Sequence, residues 1–321
     1  MTNKTIQKPS KVVVVGAGFV GATIALTLAI KQTCSELVLV DVKKEKAMGE
    51  ALDICHGLPV LGPMKVYDGD YSDCAGADLI IITAGLNRKP GDTRLDLAQN
   101  NANLMKSITA SIMQYYDGGL LLVVSNPVDV MTYLIQKWTQ LPSSSVIGSG
   151  TLLDSSRFRY LISKRLDGIN PQDIHAYVIG EHGESQFPVW SKSDIGGINV
   201  LDYFQAIDRP LSDDDKEEVH RELKASGATI IKAKGVTNCG IAISVNNIVE
   251  ALLRDTRSVR TLCSVLNGPC GLHDVALSLP CIIGRNGIEQ VLDFQLNEEE
   301  DAQLKHSARQ IRNVIDQITD V

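Results

Sequence analysis

The run KVVVVGAGFVGATIALTLAI (Lys11–Ile30) changes character halfway, and the change decides the fold. Four consecutive valines with no polar partner read as a strand buried on both faces. Gly16, Gly18 and Gly21 follow in the spacing G-x-G-x-x-G, and the chain then continues as a helix. In that context each glycine has a mechanical reason to be there. One makes a tight turn, one lets the backbone come close to a pyrophosphate, and one lets helix pack closely on strand. The helix N-terminus faces the pyrophosphate charge, so Phe19 and Val20 join the glycines as cofactor residues. Asp41 ends the next apolar strand, ELVLVDV, twenty residues beyond Gly21. A carboxylate there accepts both hydroxyls of an adenosine ribose and repels a 2′-phosphate, which favours NAD over NADP.

Working outward, apolar strands alternate with helices. ELVLVDV, ADLIIITAG and GLLLVVSNP read as strands, and KKEKAMGEALDICHG and LDLAQNNANLMKSITASIMQYY as helices, the first of them ended by its glycine. Strands that are apolar throughout need cover on both faces, hence a parallel sheet between helical layers. FVGATIALTLAI is apolar on most faces and is expected to be covered on both sides. After about residue 150 the pattern becomes mixed. HAYVIGEHG, SVRTLCSVLNG and VALSLPCIIG read as strands, with an Asn-Gly turn in GRNGI. DDDKEEVHRELKASGATIIKAKG, the stretch Ile241 to Leu253, and EEEDAQLKHSARQIRNVIDQI read as amphipathic helices. The expected fold class is α/β: a doubly wound parallel Rossmann sheet over residues 1–148, then a mixed α+β domain over 149–321.

The bulk properties exclude several classes. The chain has 321 residues, 44% hydrophobic and 21% charged, with a net charge of −7. With no basic run, neither nucleic acid nor an anionic membrane is an expected partner. The N-terminal MTNKTIQKPSK has no apolar core, so it is not read as a signal peptide, and apolar runs are too short to span a bilayer. Seven cysteines without a CxxC pair argue for free thiols in a reducing, cytoplasmic setting, and no metal site is expected.

Chemistry concentrates in three stretches. YVIGEHGES places His182 between Gly180 and Gly183 at the end of a strand, in what reads as a tight, exposed loop. GTLLDSSRFR puts Asp154 and Arg157 one helical turn apart, hence on one side. Asp154 can orient His182 and raise its pKa, and Arg157 can grip a carboxylate. GLNRKPGDTR carries Arg88 and Arg94 on a glycine-hinged loop.

The motifs VVGAGFVGATIA, TAG…KPGDTRLDL, VVSNPVDVMT, GTLLDSSRFR and IGEHGESQFPVWS occur in this order over nearly the whole chain. Together they resemble the L-lactate/L-malate dehydrogenase family. The resemblance implies NADH as hydride carrier and a small 2-keto acid/L-2-hydroxy acid pair as substrate. It implies His182 as general acid/base with Asp154 as partner, Arg157 on the substrate carboxylate, and Arg94 polarising the ketone. Asn126, followed by a cis peptide bond to Pro127, lies near the reacting oxygen. Thr83, Ala84, Gly85 and Asn126 complete the cofactor cradle, and Thr237 in KGVTNCGIA lines the pocket wall. Arg88 occupies the place where lactate enzymes of the family carry glutamine and malate enzymes arginine. The scaffold is lactate-type and the loop arginine malate-type. The expectation drawn from Arg88 is oxaloacetate reduction with weaker activity on pyruvate; the alternative is an ordinary lactate dehydrogenase in which Arg88 is not decisive. Arg159 and His175 fall where bacterial relatives bind fructose 1,6-bisphosphate across a subunit interface, which implies a homotetramer open to allosteric control.

Overall fold

The computed structural model describes residues 10–86, 91, 93–293 and 295–318. In the first half, strands and helices alternate: β1 (Lys11–Val15), α1 (Phe19–Lys31), β2 (Glu36–Val40), α2 (Lys44–Leu61), β3 (Lys65–Asp68), β4 (Leu79–Ile82), α3 (Arg94–Met113), β5 (Leu120–Val123), α4 (Val128–Thr139) and β6 (Val146–Gly148). The second half begins with α5 (Leu152–Arg165) and five two-residue strands: β7 (Ile174–His175), β8 (Val178–Ile179), β9 (Phe187–Pro188), β10 (Asp194–Ile195) and β11 (Ile198–Asn199). It continues with α6 (Val200–Ala206), α7 (Asp213–Lys234), α8 (Cys239–Leu253), β12 (Ser258–Asn267), β13 (His273–Gly284), β14 (Gly287–Val291) and α9 (Glu298–Gln317).

Among the described residues, nine strands form one sheet in the order β14-β13-β12-β6-β5-β4-β1-β2-β3. The β3-β2-β1-β4-β5-β6 part is parallel, the doubly wound order of a dinucleotide fold. The apolar strands explain the layers. Val13, Val15, Ile80, Ile82, Leu121 and Val123 face one side, under α3, α4 and α9. Their neighbours Val12, Val14, Leu79, Ile81 and Leu122 face the other, under α1, α2 and α8. A third cluster, built on Phe158, Ile174, Val178 and Phe204, fills the second half beside the sheet.

The mixed second half is joined to the first through the sheet itself. β12 pairs antiparallel with β6 at Cys263↔Gly148, and the β12–β13–β14 meander continues the same surface. The Asn-Gly turn of GRNGI closes the last hairpin, with Gly287 at φ +89°.

Four local expectations need correction. α2 passes through Gly57 and ends only at Leu61, because it is Gly62, at φ +131°, that leaves helical space. α1 is covered on one side by the sheet and α8, while Leu26 and Ile30 are exposed. HAYVIGEHG is not one strand: β7 pairs with β10 and β8 with β9, so the chain changes partners at Ala176–Tyr177. The loop carrying His182 is half-buried rather than exposed, since Gly180 is tied into the sheet edge by a bridge to Ser278.

Candidate active site

The site gathers at the carboxyl ends of β1, β2, β4 and β5, where a doubly wound sheet leaves a crevice. The three glycines play separate parts. Gly16 has φ +106°, and a Cβ there would sit 2.6 Å from Ala84 N. A Cβ on Gly21 would sit 1.8 Å from Gly16 O, so the helix can approach the strand only with glycine. Gly18 has nothing within 4 Å of its Cβ position. That open side lies at the N-terminus of α1, whose cap residue Gly18 offers no side chain to the first-turn N–H groups. α3, α7 and α9 instead begin with capping boxes on Thr93, Ser212 and Asn297. Phe19 and Val20 open α1, and the Phe19 ring is exposed.

Asp41 stands just past β2. Its Oδ2 accepts from Ala17 N–H at 2.7 Å and its Oδ1 from Lys43 N–H at 2.9 Å. Each oxygen keeps a second lone pair, as a ribose diol requires. Thr83 Oγ1 donates to Gly16 O at 2.7 Å, and the Thr83 and Ala84 N–H groups both reach Val15 O, so the glycine turn is tied to the end of β4. Ser125 Oγ donates to Ala84 O at 2.5 Å. Gly85 and Asn126 are exposed on this rim, and the Asn126–Pro127 bond is cis, as the family resemblance implies. These residues fit a dinucleotide: a glycine cradle open on one side, bare helix N–H groups, and an acceptor carboxylate.

The candidate acid/base cluster joins two chain segments. His182 Nδ1 lies 2.6 Å from Asp154 Oδ2, and Arg157 donates to Asp154 Oδ1 at 2.9 Å. Asp154 is 0% exposed, whereas the His182 side chain keeps 27% of its surface open. With Asp154 accepting, Nδ1 carries hydrogen and Nε2 is left for a reacting group. Burial would push His182 down, but the charge and hydrogen bond of Asp154, aided by Asp129, outweigh it and raise the imidazole to about 9. Asp154 is held below its usual range despite burial, because His182 and Arg157 both favour its charge. The sequence pairing of His182 with Asp154 and Arg157 is thus found assembled.

The remaining candidates divide. Thr237 is half-buried in the turn before α8. Arg159 Nε donates to Ala176 O, next to His175, whose Nδ1 lies 3.3 Å from Asp194. Arg88 lies outside the described residues. Of Arg94 only the backbone is described, as the first residue of α3.

Two residues at the site escape a reading of the sequence. Asp129, in the first turn of α4, accepts from His182 N–H at 2.8 Å while 1% exposed. Burial raises it to about 7, against the opposing pull of the His182 backbone bond and charge. Ser307 of α9 accepts from Glu181 N–H at 2.7 Å. Signals exist for both: Asp129 interrupts the apolar run VDVMTYLI, and Ser307 falls in the buried stripe of Leu304, Ala308, Ile311 and Ile315.

Family models match most of the chain: the lactate/malate dehydrogenase NAD binding domain over residues 10–148, and the lactate/malate dehydrogenase alpha/beta C-terminal domain over 151–321. The L-lactate dehydrogenase of Thermoanaerobacterium saccharolyticum is 47% identical over 309 residues, covering 96% of this chain and 99% of that protein. The L-lactate dehydrogenase of Acetivibrio thermocellus is 43% identical over 313 residues, 98% of each. Among solved structures, the minor L-lactate dehydrogenase of Enterococcus mundtii, in its ligands-bound form, superimposes with a TM-score of 0.93 at 38% identity, covering 97% of this chain and 98% of that one. A lactate dehydrogenase from a Medee basin deep-sea metagenome library gives 0.93 at 39%, covering 98% and 100%. The glycine cradle, the acceptor carboxylate and the contact of His182 with buried Asp154 accord with these matches: the chain belongs to the lactate/malate dehydrogenase family, and its cofactor is NAD.

Proposed function

We propose that the protein is an NAD-dependent L-lactate dehydrogenase that interconverts pyruvate and L-lactate. The observation that carries this reading is the His182–Asp154 contact at 2.6 Å, with Arg157 on the other carboxylate oxygen. Its support from relatives is that proteins 47% and 43% identical to this chain are named L-lactate dehydrogenase.

Gly16, Gly18, Gly21, Phe19 and Val20 would hold the pyrophosphate, and Asp41 the adenosine ribose. Thr83, Ala84, Gly85 and Asn126 would line the nicotinamide end. Bound NAD supplies the two-electron hydride carrier. His182 holds a proton at Nε2 and gives it to the keto oxygen in the reducing direction; the neutral imidazole takes it back in the oxidising one. Asp154 stabilises the imidazolium and fixes the tautomer left behind. Arg157 binds the substrate carboxylate, Arg94 stabilises the charge developing on the oxygen, and Asn126 and Thr237 shape the pocket. The test is NADH oxidation with pyruvate by the wild-type protein and by His182→Asn. No turnover by the wild type, or full turnover by the variant, sinks the reading.

A second reading concerns Arg88. Its charge suits the second carboxylate of oxaloacetate, a charge-assisted bond worth about 1.5–3 kcal/mol, so oxaloacetate is accepted as an additional substrate. The scaffold is assigned a tetrameric state, to which the exposed Leu26, Ile30, Met48 and Leu52 on α1 and α2 lend apolar surface. Arg159 and His175 are assigned to fructose 1,6-bisphosphate. An unchanged KM for pyruvate on adding that compound removes the effector assignment.

A further inference from the structure

A histidine that transfers protons must be held to a fraction of an ångström, yet His182 sits between two glycines on a loop. The loop is held instead by its backbone. Gly180 exchanges two 3.0 Å hydrogen bonds with Ser278 of β13, and His182 N–H is taken by Asp129 of α4. The amide between them, Glu181 N–H, is taken by Ser307 Oγ of α9, 126 residues away in sequence.

The proton directions around Ser307 follow from counting. Ser185 Oγ lies 2.5 Å from Glu181 Oε2, a carboxylate oxygen that only accepts, so the Ser185 proton goes there. At the 3.0 Å contact of Ser185 with Ser307, the donor is therefore Ser307. Ser307 accepts from Glu181 N–H and donates to Ser185, which donates to the Glu181 carboxylate, closing a ring around the residue before His182. Ser307 is 0% exposed. Glycine at 180 makes the approach possible, since a Cβ there would sit 2.8 Å from Ser307 Oγ.

We propose that Ser307, on the C-terminal helix, is a positioning residue for proton transfer: by fixing the Gly180–Glu181 peptide, next to the Glu181–His182 peptide that Asp129 holds, it keeps the His182 ring seated on Asp154. This rests on the reading of His182 as the acid/base. Among the described residues, the charged groups that act on that ring are Asp154 and Arg157 of α5 and Asp129 of α4, and Glu181 of its own loop acts on Asp129.

The experiment is steady-state pyruvate reduction across pH by the full-length protein and by Ser307→Ala, Ser307→Thr, Asp154→Asn and the Ser307→Ala/Asp154→Asn double variant. Expected for Ser307→Ala is a loss of roughly tenfold in kcat, with the alkaline limb of kcat/KM moved to lower pH and KM for NADH unchanged. Ser307→Thr, which keeps the hydroxyl, restores both. In the Asp154→Asn background, Ser307→Ala costs less than about twofold, because the pair it supports is already broken. An unmoved alkaline limb, or the same fold-loss in both backgrounds, reduces Ser307 to a packing residue and overturns the proposal. Should Ser307→Ala fail to fold, Ser185→Ala opens the same ring and should move the limb in the same direction; no movement overturns it equally. Full turnover by His182→Asn would instead refute the parent reading, whereas an inactive His182→Asn beside a normal Ser307→Ala refutes only the role of Ser307.

Discussion

His182 keeps its proton against burial because Asp154, wholly buried, accepts from Nδ1 at 2.6 Å. Pyruvate reduction needs the imidazolium, so kcat/KM in that direction should fall as pH rises through about 9. Asp154→Asn removes the charge that raises it, and the inflection should drop toward the ordinary histidine value of about 6.5. An unmoved inflection in a pH–rate profile would show that Asp154 does not set it. The same pair links to stability: a raised histidine stabilises the fold fully below its unfolded value, and that contribution is lost as pH rises through about 9. Wild-type Tm should therefore lose its margin over Asp154→Asn across that alkaline range. His182→Asn should lower kcat by about 10²–10⁴-fold, the usual share of a positioned acid/base. His182, Asp154 and Arg157 are legible as short motifs whose residue types state their chemistry. Asp129 and Ser307 are not, because they meet the histidine loop from 53 and 126 residues away, and no local pattern encodes that meeting.

The turn from β1 into α1 separates binding from folding. A methyl at Gly18 meets no protein atom within 4 Å, and the residue is extended at φ −71°. Gly18→Ala should leave stability within about 0.5 kcal/mol of wild type yet weaken NADH, because the methyl fills the space the pyrophosphate needs. Gly21→Ala puts its methyl 1.8 Å from Gly16 O and should destabilise the fold by at least about 1–3 kcal/mol. Thermal melts beside NADH fluorescence titrations distinguish the two; equal losses of stability would refute the division of roles. Most long elements are readable because apolar strands and amphipathic helices differ in period. What escapes is short or set by partners. β3 is four residues at the sheet edge, with Lys65 and Asp68 exposed, and carries no apolar run. β7 and β8 look like one strand because pairing, not composition, divides them. The Leu26 and Ile30 side of α1 reads as a buried face, though a single chain leaves it open.

At the scale of the molecule, one sheet spans both halves, so β12 and β13 brace the crevice from the β6 side and Ser278 anchors the histidine loop. The proposed reading gives substrate choice to the loop after β4; Arg88 itself lies outside the described residues. Arg88→Gln should lower kcat/KM for oxaloacetate by about 10–100-fold, the equivalent of one charge-assisted bond, and leave pyruvate nearly unchanged. An equal loss on both substrates would mean that Arg88 serves the loop rather than the second carboxylate. The most direct measurement is kcat/KM with NADH for pyruvate and oxaloacetate, side by side on the wild-type protein. Expected is saturable reduction of both, with pyruvate higher, as a lactate dehydrogenase requires. A clear preference for oxaloacetate would contradict that function and make Arg88 the residue that decides the substrate.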